Sequence, residues 1–402
     1  MNRTFHLQID NPIVIHRGEV GDNAWGHTQF PFLYRATDGN IIAEWEYTVD
    51  DIKYAGTSIR AKSNDGGKTW TEVKEGDAVR GLSMPNGKEL VGFVKKGAYP
   101  QDYFSKYTPI YTVKLWSVES KIYFADDIKE NEDKRVFAIE RDSTSGEEQV
   151  FECAVKWPLA SMGWCNGMVY PRTQTFAIQN KNGIALIGDA LYCAVYGHGF
   201  NSDAKTREEA ILNGDPCYSV YVLRSTDSAR TWEYVSGVYV NDSVRSAGDG
   251  LFEGFCEPTL CSMPDGSVIM LMRSGNTRPS YIVRSTDKCK TWSEPQIFDD
   301  FGVFPQLLSL PCGVTIASYG RPSLRLRATS DPSGEAWEPP VQLTLTGDAC
   351  ANFQSLSCFY TGLLAISEDE ALMIYSDFKY PNADGIPVKT ILSRRIKVVF
   401  EE

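Results

Sequence analysis

The residues of this 402-residue chain that could do chemistry are carboxylates, arginines and tyrosines close to a series of short turns. Glu257 and Arg273 lie on either side of the turn Asp265-Gly266. Arg321 follows a later turn of the same kind, and Tyr360 precedes another. Carboxylates act as general acids and bases, an arginine fork binds an anion, and a phenol beside a base can act as a nucleophile. This combination indicates acid–base and nucleophilic chemistry on a polar substrate.

The turns themselves form a repeat, because each joins two apolar, strand-like segments. They read Asp38-Gly39, Asn86-Gly87, Asn182-Gly183, Asp265-Gly266 and Cys312-Gly313, with a version that lacks glycine at Glu368-Asp369-Glu370. Glycine supplies positive φ and a short polar residue bonds the turn amides, so these pairs favour tight hairpins. Six hairpins imply six blades of about four strands each. The sequence therefore predicts an all-β fold, a single six-bladed β-propeller domain over residues 1–402.

A second repeat, S-x-D-x-x-x-T-W, predicts the same architecture. It occurs in full at 63–70, 225–232 and 285–292, and a degraded copy, one residue longer, ends at Trp337. The short Asp and Ser side chains accept hydrogen bonds from turn amides, and the Trp packs into the core. Three full copies of this Asp box indicate a structural repeat. The strand-like ends of the chain, 12–16 and 396–400, are expected to lie in one blade.

Propeller geometry groups the candidate residues. The glycine turns and the Asp boxes point to one face, so the start of the first strand and the end of the second strand in each blade share the opposite face. The positions near that rim include His27, Gln29, Asp50, Asp51, Glu257, Arg273, Arg321 and Tyr360. We expect the functional site there.

Composition restricts the function further. The net charge of −12 argues against nucleic acid and anionic membranes as partners. No segment has the length of a signal peptide core or of a membrane span, so the chain is expected to be cytoplasmic, or secreted with its signal removed. The 10 Cys are scattered and there are 4 His, so the sequence predicts neither a metal site nor a cofactor.

The sequence resembles the bacterial sialidases (exo-α-neuraminidases) over essentially the whole propeller. The segments that carry the resemblance are QFPFL at 29–33, GNIIAEWE at 39–46, EPTL at 257–260, MLMR at 270–273, YGRPSL at 319–324 and YTGLL at 360–364. The resemblance implies a retaining exo-α-sialidase that acts on sialylated glycans or free sialosides.

The same resemblance implies roles for three residues. Tyr360 matches the nucleophile, and Glu257 matches the carboxylate that activates it. Asp51 matches the acid/base, with the adjacent Asp50 as a contender. A tyrosine nucleophile suits this chemistry, because the carboxylate of sialic acid would repel an anionic one.

The substrate-binding residues match the family less completely. Arg273 and Arg321 correspond to two arginines of the clamp that binds the sugar carboxylate. Gln29 stands where the family has its first arginine, so it is expected to donate a single hydrogen bond. His27, two residues earlier on the same strand face, and Asp50 complete the predicted substrate-binding set.

Two other functions fit the sequence. One is a different carbohydrate-active propeller, a lyase or hydrolase acting on uronic acid or rhamnosyl glycans, which Gln29 and the nearby His27 favour. The other is a propeller that binds glycans without catalysis. The carboxylates near the rim count against this last function, because binding alone does not require a tyrosine–glutamate pair.

Overall fold

The structure is a computed structural model that describes most of the chain. The described residues are 4–48, 57–73, 80–93, 105–109, 111–115, 118–124, 136–156, 163–165, 183–199, 206, 208–209, 215–344 and 355–401. In these ranges the chain forms 28 strands, and the helix that is described from end to end is the short α1 (Asp242–Ser246). The helix begins at the cap Asn241, whose side chain accepts a hydrogen bond from the amide of Val244.

The strands occur in an order without long helical interruptions. They are β1 (Phe5–Ile9), β2 (Ile13–Arg17), β3 (His27–Arg35), β4 (Ile41–Tyr47), β5 (Ser58–Ser63), β6 (Thr71–Val73), β7 (Leu82–Ser83), β8 (Glu89–Phe93), β9 (Tyr111–Leu115), β10 (Val118–Phe124), β11 (Val136–Arg141), β12 (Glu148–Lys156), β13 (Gly163–Cys165), β14 (Ile184–Ile187), β15 (Ala190–Gly199), β16 (Asp215–Ser225), β17 (Thr231–Val238), β18 (Cys256–Ser262), β19 (Val268–Arg273), β20 (Ser280–Ser285), β21 (Gln296–Asp299), β22 (Val303–Ser309), β23 (Thr315–Gly320), β24 (Arg325–Thr329), β25 (Val341–Gln342), β26 (Thr361–Ala365), β27 (Glu370–Pro381) and β28 (Pro387–Phe400).

Within the described residues these strands form six sheets. Three sheets have four strands each, in the orders β3-β4-β5-β6, β18-β19-β20-β21 and β22-β23-β24-β25. A five-stranded sheet has the order β1-β28-β27-β26, with β2 also paired to β28. An eight-stranded sheet runs β14-β15-β16-β17-β12-β11-β8-β7, with β12 and β17 parallel, and β13-β10-β9 form a three-stranded sheet.

The expected all-β fold is confirmed by this arrangement. The predicted count of six blades with about four strands each is not confirmed, because the described sheets hold between three and eight strands. The chain divides into two compact units, the first formed by 1–80, 261–271 and 299–402, the second by 81–260 and 272–298. A single domain over 1–402 stays a prediction. In the described part of the chain, no helix is long and apolar enough to cross a membrane.

Each unit has its own apolar core. In the first unit, β27 supplies alternate residues to two clusters, because neighbouring side chains of a strand point to opposite faces. Met373 and Tyr375 pack in one cluster, whereas Leu372 and Ile374 pack in the other. The core of the second unit centres on β8, β11 and β15–β17 and includes the fully buried Trp232.

The two ends of the chain meet in one sheet, as the sequence predicts. Strand β1 pairs antiparallel with β28, from Phe5 opposite Phe400 to Ile9 opposite Ile396. Strand β2 also pairs with β28, further back along it, at positions 390–393. The ends thereby cover each other's backbone hydrogen-bonding groups.

The Asp boxes have the structure that their composition predicts. In the first copy, Ser63 Oγ donates to Asp65 Oδ1 over 2.8 Å, and the same Oδ1 accepts from the amide of Thr69 at 2.9 Å. Ser63 Oγ also accepts from the amide of Gly67. The copies that begin at Ser225 and Ser285 repeat these bonds.

The glycine turns contact Asp boxes in both units. The amide of Asn86 donates to Ser228 Oγ at 3.3 Å in the second unit, and the amide of Asp265 donates to the carbonyl of Pro332 at 3.2 Å in the first. The first contact lies within one sheet, and the second joins turns of two different sheets. These pairs agree with the expectation that both kinds of turn point to one face.

Asp287 is expected to stabilise its Asp box in a pH-dependent way. Hydrogen bonds from the side chain and backbone of Thr291 lower the pKa of Asp287 from 3.8 to about 2. A carboxyl with a lowered folded-state pKa contributes stability above its unfolded pKa and loses it as the pH falls through the folded value. We therefore expect Asp287→Asn to lower the urea midpoint at neutral pH, and the difference from wild type to shrink between about pH 4 and pH 2.

The measurement is urea unfolding followed by tryptophan fluorescence at several pH values. The exposed Asp300, which lies outside the Asp boxes, provides the control Asp300→Asn. A difference between Asp287→Asn and wild type that does not change with pH would contradict the expectation.

Candidate functional site

Four sheets share an unusual backbone feature near the start of one edge strand, β3, β18, β22 or β26. A non-glycine residue there adopts the left-handed conformation: Phe30 with φ 51°, Glu257 with φ 48°, Phe304 with φ 45° and Phe359 with φ 62°. The next residue is a proline in the first three cases and Tyr360 in the fourth. Left-handed backbone costs a non-glycine residue about 1–3 kcal/mol and persists where the surrounding structure enforces it, often at functional sites. Glu257 therefore has this strained conformation itself, and Tyr360 directly follows a residue of another sheet that has it.

In the second unit, Arg273 binds two glutamates. Its Nη1 donates to Glu257 Oε1 at 2.8 Å, and its Nη2 donates to Glu253 Oε1 at 2.8 Å and to Asn276 Oδ1 at 2.7 Å. Glu253, Glu257 and Arg273 are 4%, 5% and 5% exposed. Strand β18 positions Glu257 near its start, and the neighbouring β19 ends at Arg273. We call Glu253, Glu257 and Arg273 the glutamate–arginine cluster.

The cluster carries one net negative charge when both glutamates are ionised. Charge-assisted hydrogen bonds of this kind fix the orientation of the carboxylates, and they compensate for the burial of the guanidinium. Arg273 can therefore hold Glu257 in place for proton transfer. Its predicted role as a clamp for a substrate carboxylate stays a prediction, since both terminal nitrogens already donate to glutamates.

Glu253 was not a candidate on the basis of the sequence. It lies four positions before Glu257, in a segment without a motif. Its amide donates to the carbonyl of Ser274 at 3.0 Å, and its carbonyl accepts from the amide of Tyr218 at 2.8 Å. A cluster of acidic residues before the first strand of a sheet is the only sequence signal that could have indicated it.

In the first unit, Tyr360 lies against other aromatic rings. Its ring stacks on Phe304 with centroids 4.2 Å apart and an interplanar angle of 4°. It also meets Phe30 edge-on at 5.2 Å. Trp25 approaches Phe30 at 6.1 Å and Phe378 at 6.5 Å, in edge-on geometry. Trp25, Phe30 and Tyr360 are partly exposed, so they form an aromatic surface that we call the aromatic wall.

His27 begins strand β3, directly after the loop that carries Trp25. Its Nδ1 lies 3.1 Å from Asp22 Oδ2, and its ring stacks on Tyr47 with centroids 4.7 Å apart. Lys389 Nζ donates to the carbonyls of Ala24 and His27. Burial lowers the pKa of Lys389. These contacts are those of a residue that holds the loop in place, and the predicted substrate-binding role of His27 stays a prediction.

Gln29 and Arg321 are both buried in the first unit. Gln29 is 0% exposed, and among the described residues neither atom of its side-chain amide has a hydrogen-bond partner. Arg321 adopts φ 60°, and its Nη2 donates to the carbonyl of Cys358 at 3.0 Å. Arg321 keeps a buried positive charge, whereas Gln29 offers only a neutral amide.

The two remaining predicted residues, Asp50 and Asp51, lie outside the described residues. One further carboxyl, that of Asp377 on β27, accepts a hydrogen bond from the amide of Lys379 at 2.8 Å. Burial raises the pKa of Asp377, so this carboxyl keeps its proton to a higher pH than usual.

A comparison with models of protein families identifies one family that matches this chain. The family model of the BNR repeat-like domain matches residues 181–383, about half of the 402 residues. No curated protein sequence is significantly similar to the chain.

Several solved structures are similar to this one. A protein of unknown function from Dyadobacter fermentans has 18% identity and a TM-score of 0.63, with 98% of this chain and 99% of that chain covered. The Hadza microbial sialidase Hz136 has 13% identity and a TM-score of 0.52, with 96% and 67% covered. An α-L-arabinanase of Penicillium chrysogenum has 13% identity and a TM-score of 0.47, with 96% and 98% covered. At these identities the first two similarities indicate a shared fold.

Proposed function

Because the chain belongs to the family of BNR repeat-like domain proteins, we propose that it is a glycoside hydrolase that releases a terminal sugar from a glycan. The observation that carries the proposal is Glu257. This carboxylate is buried, has left-handed backbone geometry and is bonded to Arg273. A carboxylate held in one orientation is suited to proton transfer, and strained residues of this kind cluster at active sites.

The finer assignment of roles follows the resemblance to sialidases. Tyr360 is the nucleophile, and Glu257 is the base that removes its proton, because a phenol with a pKa of about 10 needs such a base. Asp51, with Asp50 as the alternative, protonates the departing oxygen and later deprotonates water. Two successive displacements at the anomeric carbon leave its configuration unchanged.

The first substrate candidate is a terminal sialic acid. One of the similar solved structures is a sialidase, and the chain keeps arginines at two of the three clamp positions. Arg321 is the cation that we assign to the sugar carboxylate, because a planar guanidinium binds a carboxylate through two parallel hydrogen bonds.

The second candidate is a neutral terminal sugar. Two observations favour it. Gln29 places an uncharged amide where the sialidases have an arginine, and Arg273 donates to Glu253 and Glu257. Little positive charge then remains for an anionic sugar, whereas hydroxyl groups can bond to glutamates and to an amide.

A panel of umbelliferyl glycosides tests the proposal and separates the two candidates. The panel contains an α-sialoside, neutral arabinoside and rhamnoside substrates, and a glucuronide. We expect release of the fluorophore from at least one of them. Release from the sialoside supports the first candidate, and release only from neutral glycosides supports the second.

The same panel tests the alternatives. An unsaturated sugar product, detected by its ultraviolet absorbance on uronic acid glycans, would identify a lyase. Binding of glycans without any cleavage would identify a glycan-binding protein. Either result overturns the proposed hydrolase.

Trp25→Ala tests whether the aromatic wall contacts the substrate. An aromatic contact of this kind contributes about 0.5–1.5 kcal/mol, so we expect KM to rise by up to about tenfold while kcat stays nearly constant. The measurement is steady-state kinetics on whichever glycoside the panel identifies. Trp292→Ala, at a half-buried tryptophan of an Asp box, is the control and should leave KM unchanged. An unchanged KM in Trp25→Ala would exclude Trp25 from substrate binding.

A further inference from the structure

The glutamate–arginine cluster divides one guanidinium between two carboxylates. Arg273 Nη1 donates to Glu257, and Nη2 donates to Glu253, both at 2.8 Å. Each glutamate therefore competes with the other for the positive charge. In a buried environment such a neighbour strongly affects how readily a carboxylate takes up a proton.

The backbone around Glu253 leaves this side chain little freedom to move away from Arg273. The amide and the carbonyl of Glu253 bond to Ser274 and Tyr218. The next residue, Gly254, has φ 86° and packs so tightly that a Cβ atom would lie 2.3 Å from the carbonyl oxygen of Tyr218. Only glycine fits this position without strain. The segment is therefore fixed to strand β16 on one side and to the end of β19 on the other.

A titratable thiol also contacts the cluster. Cys256 Sγ lies 3.8 Å from Glu253 Oε2. Burial raises the pKa of Cys256 well above its usual value, so this thiol stays neutral throughout the range in which carboxylates titrate. Asn276, which accepts from Arg273 Nη2, has no charge to change. Among the described contacts of the cluster, the charged neighbours of Glu257 are thus Arg273 and Glu253.

We propose that Glu253 is a positioning residue for hydrolysis: it takes half of the Arg273 guanidinium and thereby keeps Glu257 a strong enough base. This inference rests on the proposed function, in which Glu257 removes a proton from the nucleophile. Without Glu253, Glu257 would be the glutamate of the cluster that receives the whole positive charge of Arg273. Glu257 would then be a weaker base, and a lower pH would be needed to protonate it.

The test is the pH profile of kcat/KM in three variants of the full chain. Glu253→Gln should lower kcat and move the acidic limb of the profile to lower pH, by about half a unit or more. Asn276→Asp adds a carboxylate to the same nitrogen of Arg273 and should move the limb to higher pH. The combination of both substitutions restores the charge count, so its profile should return toward that of wild type.

Asn276→Ala is the matched control, because it removes a hydrogen bond from Arg273 Nη2 without changing the charge. Its profile should keep the wild-type limb, even if the protein is less stable. A purely structural role for Glu253 would lower stability but leave the acidic limb in place in all variants, and that result overturns the proposal.

If wild type cleaves no glycoside, the proposed function fails and the role of Glu253 fails with it. If wild type is active and the acidic limbs of the variants coincide with that of wild type, only the role of Glu253 fails. The combined variant keeps the test valid should Glu253→Gln fail to fold.

Discussion

Glu257→Gln is expected to lower kcat by about a hundred- to ten-thousand-fold, the range typical of removing a general acid or base. Glutamine keeps the shape of the side chain, and its oxygen can still accept the hydrogen bond from Arg273 Nη1. Arg273 also retains Glu253 as an ionic partner. The fold should therefore survive, and the loss should fall on the chemical step. The measurement is kcat of wild type and variant on the same glycoside, with far-ultraviolet circular dichroism to check the fold.

Glu294→Gln is the control for this substitution. Glu294 is an exposed glutamate of the second unit, so the same chemical change there should leave kcat close to that of wild type. A folded Glu257→Gln protein with a wild-type rate would remove Glu257 from the mechanism. The proposed function would then lose the observation that carries it.

Arg273→Met is expected to produce the largest loss of stability. Removal of one partner from a buried ion pair typically costs about 3–5 kcal/mol, because the remaining charge is left uncompensated. In this cluster, loss of the guanidinium leaves two buried carboxylates without their shared cation. The free energy of unfolding, obtained from urea titration, should fall by that amount.

Lys290→Met is the matched control for Arg273→Met. Lys290 is an exposed cation on the Asp box of the same sheet, and surface substitutions usually change stability by less than about 0.5 kcal/mol. If Arg273→Met also loses less than about 1 kcal/mol, the glutamates are not held together by Arg273 in solution. The argument for Glu253 would fail with that result.

Features set by local sequence could be predicted well. The Asp boxes follow from Ser, Asp and Thr at fixed spacing, because their hydrogen bonds join residues within four positions of each other. The glycine turns are equally local, and Gly39, Gly87, Gly266 and Gly313 have φ between 80° and 91°. The all-β fold follows from the apolar segments that these turns connect. The number of blades depends on how strands group into sheets, and local patterns do not determine it.

The contacts at the candidate site depend on residues far apart in the chain. Phe30, Phe304 and Tyr360 come from three sheets, so their stacking has no local signal. The left-handed conformation of Glu257 is imposed by its surroundings, since the sequence Glu-Pro alone favours extended backbone. Burial could not be read from residue type either, since Trp45 is fully buried whereas Trp25 is partly exposed.

Gln29 is the position at which the resemblance to the sialidases is incomplete. The sequence identified it as a replaced arginine, and the structure adds that its amide is fully buried. Among the described residues this amide has no hydrogen-bond partner, although a buried amide ordinarily has one. In the second substrate candidate, this amide is the group that we propose to bond to a sugar hydroxyl.

The most direct test of the central claim is proton nuclear magnetic resonance of the first sugar that the protein releases. A glycoside from the responsive class is mixed with the enzyme, and the anomeric signals are followed before mutarotation. Our account predicts that a sugar is released and that it first appears with the anomeric configuration of the substrate. Release with the opposite configuration would contradict a mechanism through a Tyr360 nucleophile, and no release from any glycoside would contradict the proposed function itself.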